Sequence, residues 1–304
     1  MRIIVTGATG FIGRWLVPVF QDEGHKVFAL VRASSDIDGL SQAGVPIIRD
    51  DGVRDLQADF SANGPFDGVI HLASLFRVTH KQEDVVPLLT SNIQFPARVL
   101  DACVRSGIRW VVNTGTAWQH YEGHAYSPVN LYASTKQAFE AVAQYYVEAH
   151  GLRFVTLALG DTYGPGDMRA KLLNLWCRTA KTGVPLDMSP GLQKIDLVYA
   201  SDVVEAYQCA VERLQAGDWS EEVMPTFSIA SGECYSLREL AKVFEEVTGV
   251  TLPIRWGARP QRPREVMRPW DCHLPGLPGW QPKIPLRVGL ARLWVSAQKQ
   301  TEEY

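Results

Sequence analysis

The stretch Arg2-Ile3-Ile4-Val5-Thr6-Gly7-Ala8-Thr9-Gly10-Phe11-Ile12-Gly13 sets the frame for the whole chain. An apolar run enters three glycines spaced three and three, and an amphipathic stretch, Phe11–Glu23, follows. A strand that turns on glycine into a helix is the opening unit of a nucleotide-binding sheet. Gly7 permits the tight turn. Gly10 lets the backbone approach a pyrophosphate at the helix N-terminus, where free N–H groups and the helix dipole favour an anion. Gly13 allows close contact between helix and strand. Thr9, Phe11, Ile12 and Arg14 border the turn and join the glycines as candidate nucleotide contacts. The spacing is GxxGxxG, not the GxGxxG of the standard fingerprint. A glycine turn with no ligand is the plain alternative. The position of this turn, on the first strand of an alternating chain, favours the nucleotide.

Outward from this unit, short apolar runs alternate with amphipathic stretches. The runs Arg2–Thr6, Lys26–Val31, Val45–Arg49, Gly68–Leu72, Trp110–Asn113 and Phe154–Leu159 read as strands. Helices are expected near Phe11–Glu23, Pro87–Ser106 and Leu131–His150. Near-continuous apolar strands separated by helices predict a parallel sheet covered on both faces. The fold class is therefore α/β: a Rossmann doubly wound parallel sheet with a smaller C-terminal substrate-binding lobe. Residues 1–165 form the dinucleotide-binding domain, its sheet completed by later segments; residues 166–304 form mainly the substrate lobe, interleaved with the first. In that lobe helices are expected to start near Met168 and near Asp202. A third covers Ser236–Thr248, where Ser236 and Glu239 make a capping box. Residues 253–285 hold eight of the eighteen prolines, which predicts loops and short strands there.

Composition narrows the function. A chain of 304 residues with formal net charge −3 lacks the basic surplus of a general nucleic-acid binder. Five scattered cysteines, Cys103, Cys177, Cys209, Cys234 and Cys272, suit free thiols better than a disulfide framework or zinc site. No apolar run approaches the ~18 residues of a membrane span. His120 and His124 are four apart in a glycine-containing stretch without a third ligand, so no metal site is expected. The expected setting is the cytoplasm, with no membrane and no nucleic-acid partner.

The second strand, Lys26-Val27-Phe28-Ala29-Leu30-Val31, ends in Arg32. NAD enzymes place a carboxylate about 20 residues after the glycines, where it bonds the ribose 2′-hydroxyl. Asp36 and Asp38 come too late for that. An arginine suits a 2′-phosphate instead, through charge-assisted paired bonds, with Arg14 assisting. NADP(H) is the expected cofactor, with NAD less favoured. A solvated surface arginine is the alternative.

Tyr132-Ala133-Ser134-Thr135-Lys136 opens a helix and sets Tyr132 and Lys136 on one face. A tyrosine with its ordinary pKa of about 10 is a poor acid–base at neutral pH. A nearby ammonium favours the phenolate and is expected to lower that value, and a cationic nicotinamide pushes the same way. Tyr132 can then give a proton to a forming alkoxide or take one from an alcohol. An exposed helical pair is the bland alternative. Thr116, at the end of the strand starting at Trp110, supplies a hydroxyl to polarise a carbonyl. Thr114 is its rival, and both can simply cap the strand.

With these elements in place the chain resembles the extended short-chain dehydrogenases of the NAD-dependent epimerase/dehydratase family, over nearly its whole length. Gly7, Gly10 and Gly13 match the family turn, and Thr116, Tyr132 and Lys136 its catalytic triad. His71-Leu72-Ala73-Ser74 and Asn92 match segments lying along the cofactor. Asp161-Thr162-Tyr163-Gly164-Pro165-Gly166 resembles the turn beside the nicotinamide. Ile195–Val203, Ser228–Gly232 and Gly279–Pro282 resemble later landmarks. The resemblance implies cofactor contacts from Leu72, Ala73, Ser74, Asn92, Asp51 and Leu159 as well as Tyr132 and Lys136. It implies a nucleotide-sugar substrate and a homodimer through a four-helix contact of the Pro87–Ser106 and Leu131–His150 helices.

Two departures shape the expected reaction. Ile195 stands where the family often has an arginine on the sugar-nucleotide phosphates. Phosphate binding then falls to the stretch holding Arg255, Arg259, Arg262, Arg264 and Arg268, with Arg262 matching a family arginine. Ala117-Trp118 follows Thr116 where the 4,6-dehydratases have Asp-Glu, so the acid and base for water elimination are missing. Short segments at Asp161–Pro165 and Lys194–Tyr199 are similar to 4-ketoreductases of the CDP-abequose and CDP-paratose synthase type. The expectation is NADPH-dependent reduction of a keto group, at C4, of a nucleotide-linked deoxy sugar. Phe76, Thr79, His80, Thr116, Trp118, Asp161, Lys171, Asn174 and Arg262 are the candidate substrate contacts. A nucleotide-sugar epimerase with tightly held NAD, a reductase of a non-sugar ketone, and a non-enzymatic NADP-sensing regulator stand as alternatives.

Overall fold

The computed structural model describes residues 1–217, 223–269 and 274–299, so Cys272 and the end of the expected second lobe lie outside the described residues. Six strands of the first half are β1 (Arg2–Thr6), β2 (Lys26–Arg32), β3 (Ile47–Asp50), β4 (Gly68–His71), β5 (Trp110–Thr116) and β6 (Arg153–Leu159). The later strands are β7 (Asp161–Tyr163), β8 (Leu186–Met188), β9 (Lys194–Tyr199), β10 (Thr226–Ile229), β11 (Cys234–Ser236) and β12 (Ile254–Trp256). The helices are α1 (Phe11–Asp22), α2 (Asp38–Gln42), α3 (Leu56–Asn63), α4 (Val85–Leu89), α5 (Phe95–Arg105), α6 (Leu131–His150), α7 (Leu172–Thr182), α8 (Ala200–Ala216), α9 (Leu237–Thr248) and α10 (Leu286–Lys299).

The main sheet has seven strands in the order β10-β6-β5-β4-β1-β2-β3, with every neighbour parallel. Chain order reverses between β1 and β4, and ligands of open α/β sheets sit outside the carboxyl ends of the strands at such a point. Alternation along β1 explains why both faces are covered. Ile3 and Val5 pack with Leu16, Phe20, Val203 and Tyr207 on one face, whereas Ile4 packs with Phe28, Leu100, Phe139 and Phe154 on the other. Each such buried side chain contributes about 1.5–3 kcal/mol. Tyr163, Trp176, Phe244, Leu290 and Trp294 centre a third cluster, which joins α7, α9 and α10 to a three-stranded sheet, β11-β9-β7.

Local chemistry sets the helix ends. Asn130 caps α6 by accepting the N–H of Ala133 at 3.0 Å, and Gly151 at φ 67° ends it. The capping box of Ser236 and Glu239 forms as expected. Two expected helices differ. The one placed at Pro87–Ser106 is α4, a π-helical turn at Thr90–Gln94, then α5. Pro96 has no N–H to give to the carbonyl four residues back, and the helix widens just before it. The helix expected near Met168 starts at Leu172, because the Asp167 carboxylate and the Asn174 amide hold residues 167–169 as a tight loop. No helix among the described residues is long and apolar enough to cross a membrane.

Candidate active site

The glycine turn is close-packed where it must be and open where a ligand needs room. Gly7 has φ +70°, and a Cβ there would lie 2.6 Å from the backbone N of Ala73. A Cβ on Gly13 would lie 2.4 Å from the carbonyl of Gly7. Gly10 is exposed, caps α1 without a side-chain hydrogen bond, and has no acid in the following turn. The first N–H groups of α1 are therefore free to meet an anion. This geometry fits a dinucleotide pyrophosphate. Thr9 receives the guanidinium of Arg14 on its carbonyl at 3.0 Å. Phe11 is buried and Ile12 half-buried. Arg32 is exposed at the end of β2, and Asp51, exposed after β3, accepts the N–H groups of Val53 and Arg54.

Across the switch point, Thr6 carries the segment after β4. Its hydroxyl oxygen accepts the N–H of Ala73 at 3.2 Å and meets His71 Nδ1 at 2.8 Å. Asn92, 1% exposed in the π turn, spends its side chain on this segment and on α6. Its carbonyl accepts from Ser74 and from the Leu75 N–H (2.7 Å), and its amide donates to the Leu75 carbonyl and to Thr135 (2.9 Å). Asn92 thus braces the Leu72–Leu75 segment. Leu159, buried, ends β6.

The Tyr132 ring is half-buried on the first turn of α6, with the Ser74 hydroxyl in hydrogen-bonding reach. Loss of water around the phenol pushes its pKa up to about 12, against Ser74 and Arg169, which lower it. This corrects the expected depression: desolvation outweighs the charges around the ring. Lys136, one turn on, is 2% exposed, and burial brings its ammonium down to about 8 while Glu140 opposes the change. No described residue accepts a hydrogen bond from its Nζ, so the donor is available to a ligand. Thr116 ends β5, its oxygen accepting the N–H of Trp118 at 3.3 Å. The rival Thr114 is engaged by the His71 carbonyl and by Tyr207.

Aromatic rings flank the phenol. Phe76 meets Tyr132 edge-on at 4.9 Å and Trp118 at 5.8 Å. Lys171 lies 5.6 Å from the Phe76 ring and pairs with Asp161 at 3.3 Å. These five residues come together. Three other candidates, Thr79, His80 and Asn174, do not join them, whereas the Asp161 charge reaches Arg262. Thr79 and His80 are exposed, and Asn174 is committed to the carbonyls of Asp167 and Arg169. Arg262 pairs with Glu265 at 2.7 Å, Arg255 with Asp187 at 2.5 Å, and Arg264 binds Ser127. The basic stretch is partly neutralised by its own neighbours.

Sequence reasoning missed Arg169. It makes paired bonds to the Asp167 carboxylate, both at 2.7 Å, and its guanidinium lies 4.8 Å from the ring centre of Phe11. Its charge reaches Tyr132. Nothing local marks it beyond its place after a Gly-Pro-Gly turn. Two aspartates of the Ile195–Val203 landmark act as pins. Asp196 accepts the N–H groups of Ser231 (2.7 Å) and Gly232 (2.8 Å), and Asp202 accepts those of Lys283 and Ile284.

The model of the NAD-dependent epimerase/dehydratase family matches residues 3–224. The chain belongs to this family. It is an NAD(P)-dependent enzyme of the extended short-chain dehydrogenase type. A family relative, the CDP-abequose synthase of Salmonella typhimurium, is 26% identical over 298 residues, covering 96% of each chain. The UDP-glucose 4-epimerase of Azospirillum brasilense is 25% identical, covering 99% of this chain and 93% of its own. Among solved family structures, the UDP-glucose 4-epimerase of Thermus thermophilus, complexed with NAD, superposes with a TM-score of 0.83 at 25% identity, covering 98% of this chain and 99% of that one.

Proposed function

We propose that this enzyme reduces a keto group, at C4, of a nucleotide-linked deoxy sugar with NADPH. The observation that carries the reading is the company of Tyr132. A protonated phenol sits beside an aromatic wall, one turn from a buried ammonium, and the residues after Thr116 are Ala117 and Trp118. Nothing at those two positions can transfer a proton, so addition of hydride and one proton fits better than elimination of water. The nicotinamide supplies the hydride when bound. Thr116 orients the carbonyl through its hydroxyl hydrogen, Tyr132 delivers its proton to the forming alkoxide, and Lys136 bonds the nicotinamide ribose. The phenol keeps its proton at neutral pH, and its strength as a donor rests on Lys136 and the cofactor's charge drawing its pKa toward the operating range.

Gly7, Gly10, Gly13 and the first turn of α1 hold the pyrophosphate, Arg32 with Arg14 the 2′-phosphate, and Leu72–Ser74, Asp51 and Leu159 the remaining cofactor edges. In this reading residues 1–165 bind the cofactor, residues 166–304 bring Lys171 and Arg262 to the sugar nucleotide, and the enzyme works in the cytoplasm. Exposed Leu89 and Tyr145, on the Pro87–Ser106 and Leu131–His150 stretches, support a homodimer through a four-helix contact of these two stretches. The named activity of the CDP-abequose synthase relative supports a nucleotide-sugar substrate.

The test is a panel of CDP-, GDP-, dTDP- and UDP-linked 4-keto sugars incubated with NADPH, followed by loss of reduced cofactor. Net oxidation of NADPH by a panel member is expected. The epimerase relatives favour a second reading, in which NAD co-purifies with the protein and sugar nucleotides isomerise without net oxidation. That outcome would replace the first.

A further inference from the structure

Gln119 is 1% exposed, and all of its polar hydrogens and its carbonyl are engaged. Its carbonyl accepts the backbone N–H of Thr116 at 2.9 Å, while its amide donates to the Glu140 carboxylate at 3.0 Å and to Gln137 at 3.2 Å. Gln137 donates to the same Glu140 oxygen at 3.3 Å. The Thr156 hydroxyl lies near enough to that carboxylate to favour its charged form, and its oxygen accepts from the Asn113 amide at 3.1 Å. Donors from the turn after β5 and from α6 thus converge on one buried acid, with the Thr156 hydroxyl of β6 beside it. Its other oxygen, Oε1, has no hydrogen-bond partner among the described residues.

An acid in this position is costly. Burying a carboxylate with an unsatisfied oxygen is strongly unfavourable unless a charge compensates it. Burial raises the pKa of Glu140, and its amide and hydroxyl donors with Lys136 pull the other way. A glutamine of the same size would avoid the cost of a charge, so the carboxylate points to a charged group that needs it. That group is Lys136, one helical turn earlier on α6.

We propose that Gln119 and Glu140 are positioning residues of the reaction: Glu140 is the counter-charge that keeps Lys136 an ammonium, and Gln119 holds that carboxylate and the Thr116 backbone in one fixed arrangement. The other groups around Lys136 do not replace Glu140. His71, from β4, is kept neutral by burial and by Lys136 itself. Tyr132, on the same helix, is kept neutral by burial. Asn113 and Thr156 from the sheet, Asn92 from the π turn and Gln119 carry no charge. Asp101 and Arg105 of α5 act at Tyr146, toward the far end of α6. The inference deepens the ketoreductase reading and rests on it for the value of a charged Lys136.

Its test uses neither substrate nor cofactor, so a chain that oxidises no NADPH leaves the result intact. Lysine labelled with carbon-13 at Cε is incorporated, and Lys136 is assigned by the signal that Lys136→Met removes. The Lys136 signal is then titrated by NMR in the wild-type protein, Glu140→Gln, Glu140→Asp and Gln119→Met. The wild-type midpoint is expected near 8. Glu140→Gln should move it down by about one pH unit, the lower end of what an opposite charge supplies. Gln119→Met, which leaves the carboxylate in place but removes a donor from it, should move it the same way by less, and Glu140→Asp should restore most of the shift. A merely structural role would lower melting temperatures and leave the midpoint where it is. An unmoved midpoint in folded Glu140→Gln overturns the proposal. If that variant does not fold, an unmoved midpoint in Gln119→Met does so.

Discussion

The hydroxyl of Tyr207 on α8 stands 2.6 Å from that of Thr114 on β5. Thr114 already gives its one hydrogen to the His71 carbonyl at 2.7 Å, so Tyr207 is the donor of the pair. This contact distinguishes Thr116, the candidate the sequence prefers, from its rival Thr114. Thr114 is spent on the sheet, and Thr116 keeps a hydrogen for a carbonyl. Thr116→Ala is expected to lower turnover ~10²-fold with little change in melting, as for loss of one transition-state donor. Thr114→Val should do the reverse, costing about 1–3 kcal/mol by leaving the buried Tyr207 hydroxyl unpaired. Steady-state kinetics and thermal melts of the two variants check the division.

Tyr132→Phe keeps the ring against Phe76 and removes the proton. Turnover should fall by roughly 10²–10⁴, the usual loss of a general acid, with cofactor binding retained. Rates within a few-fold of wild type would take Tyr132 out of the chemistry.

Lys136 makes stability depend on pH with a definite sign. Its folded pKa, about 8, lies below the ordinary 10.5, so the unfolded chain binds the extra proton between these values. The cost of burying the charge is full below pH 8 and is relieved as pH rises toward 10. Measured against wild type, Lys136→Met should therefore fare better at pH 7 than at pH 10, by a difference equivalent to a few kcal/mol at most, on top of a pH-independent cost from the uncompensated Glu140 carboxylate. Equal melting differences from wild type at both pH values would show that the ammonium is not desolvated.

Arg32→Asp exchanges a partner for the 2′-phosphate for a partner of the ribose hydroxyls. The ratio of NADPH to NADH use should fall roughly 10–100-fold, the worth of a charge-assisted hydrogen bond. An unchanged ratio would return Arg32 to the solvated surface.

Gly13→Ala tests the turn. Its new Cβ would meet the Gly7 carbonyl at 2.4 Å, a contact backbone cannot yield without moving the pyrophosphate cradle. Overpacking of this kind costs about 1–3 kcal/mol, and cofactor-induced stabilisation should fall with it. Gly24, where an added Cβ meets nothing within 4 Å but φ is +80°, serves as the control for backbone strain alone.

Local patterns along the chain carry a definite part of this architecture. Apolar alternation and glycine punctuation set β1 at Arg2–Thr6 and α6 at Leu131–His150, with the same bounds in the structure, because strand and helix periods are written in neighbouring residues. The same locality made Tyr132 and Lys136 legible, one helical turn apart. Packing added that Thr114 is engaged by Tyr207, far along the chain, which leaves Thr116, the candidate the sequence already preferred, with a hydroxyl hydrogen to give. It brought Arg169 over Phe11, drew Gln119 and Glu140 together, and raised the Tyr132 pKa that spacing alone had suggested was lowered. Those outcomes depend on which water is excluded when β5, β6 and α6 pack. Desolvation is a property of the assembled site, and no pair of residues read along a chain contains it.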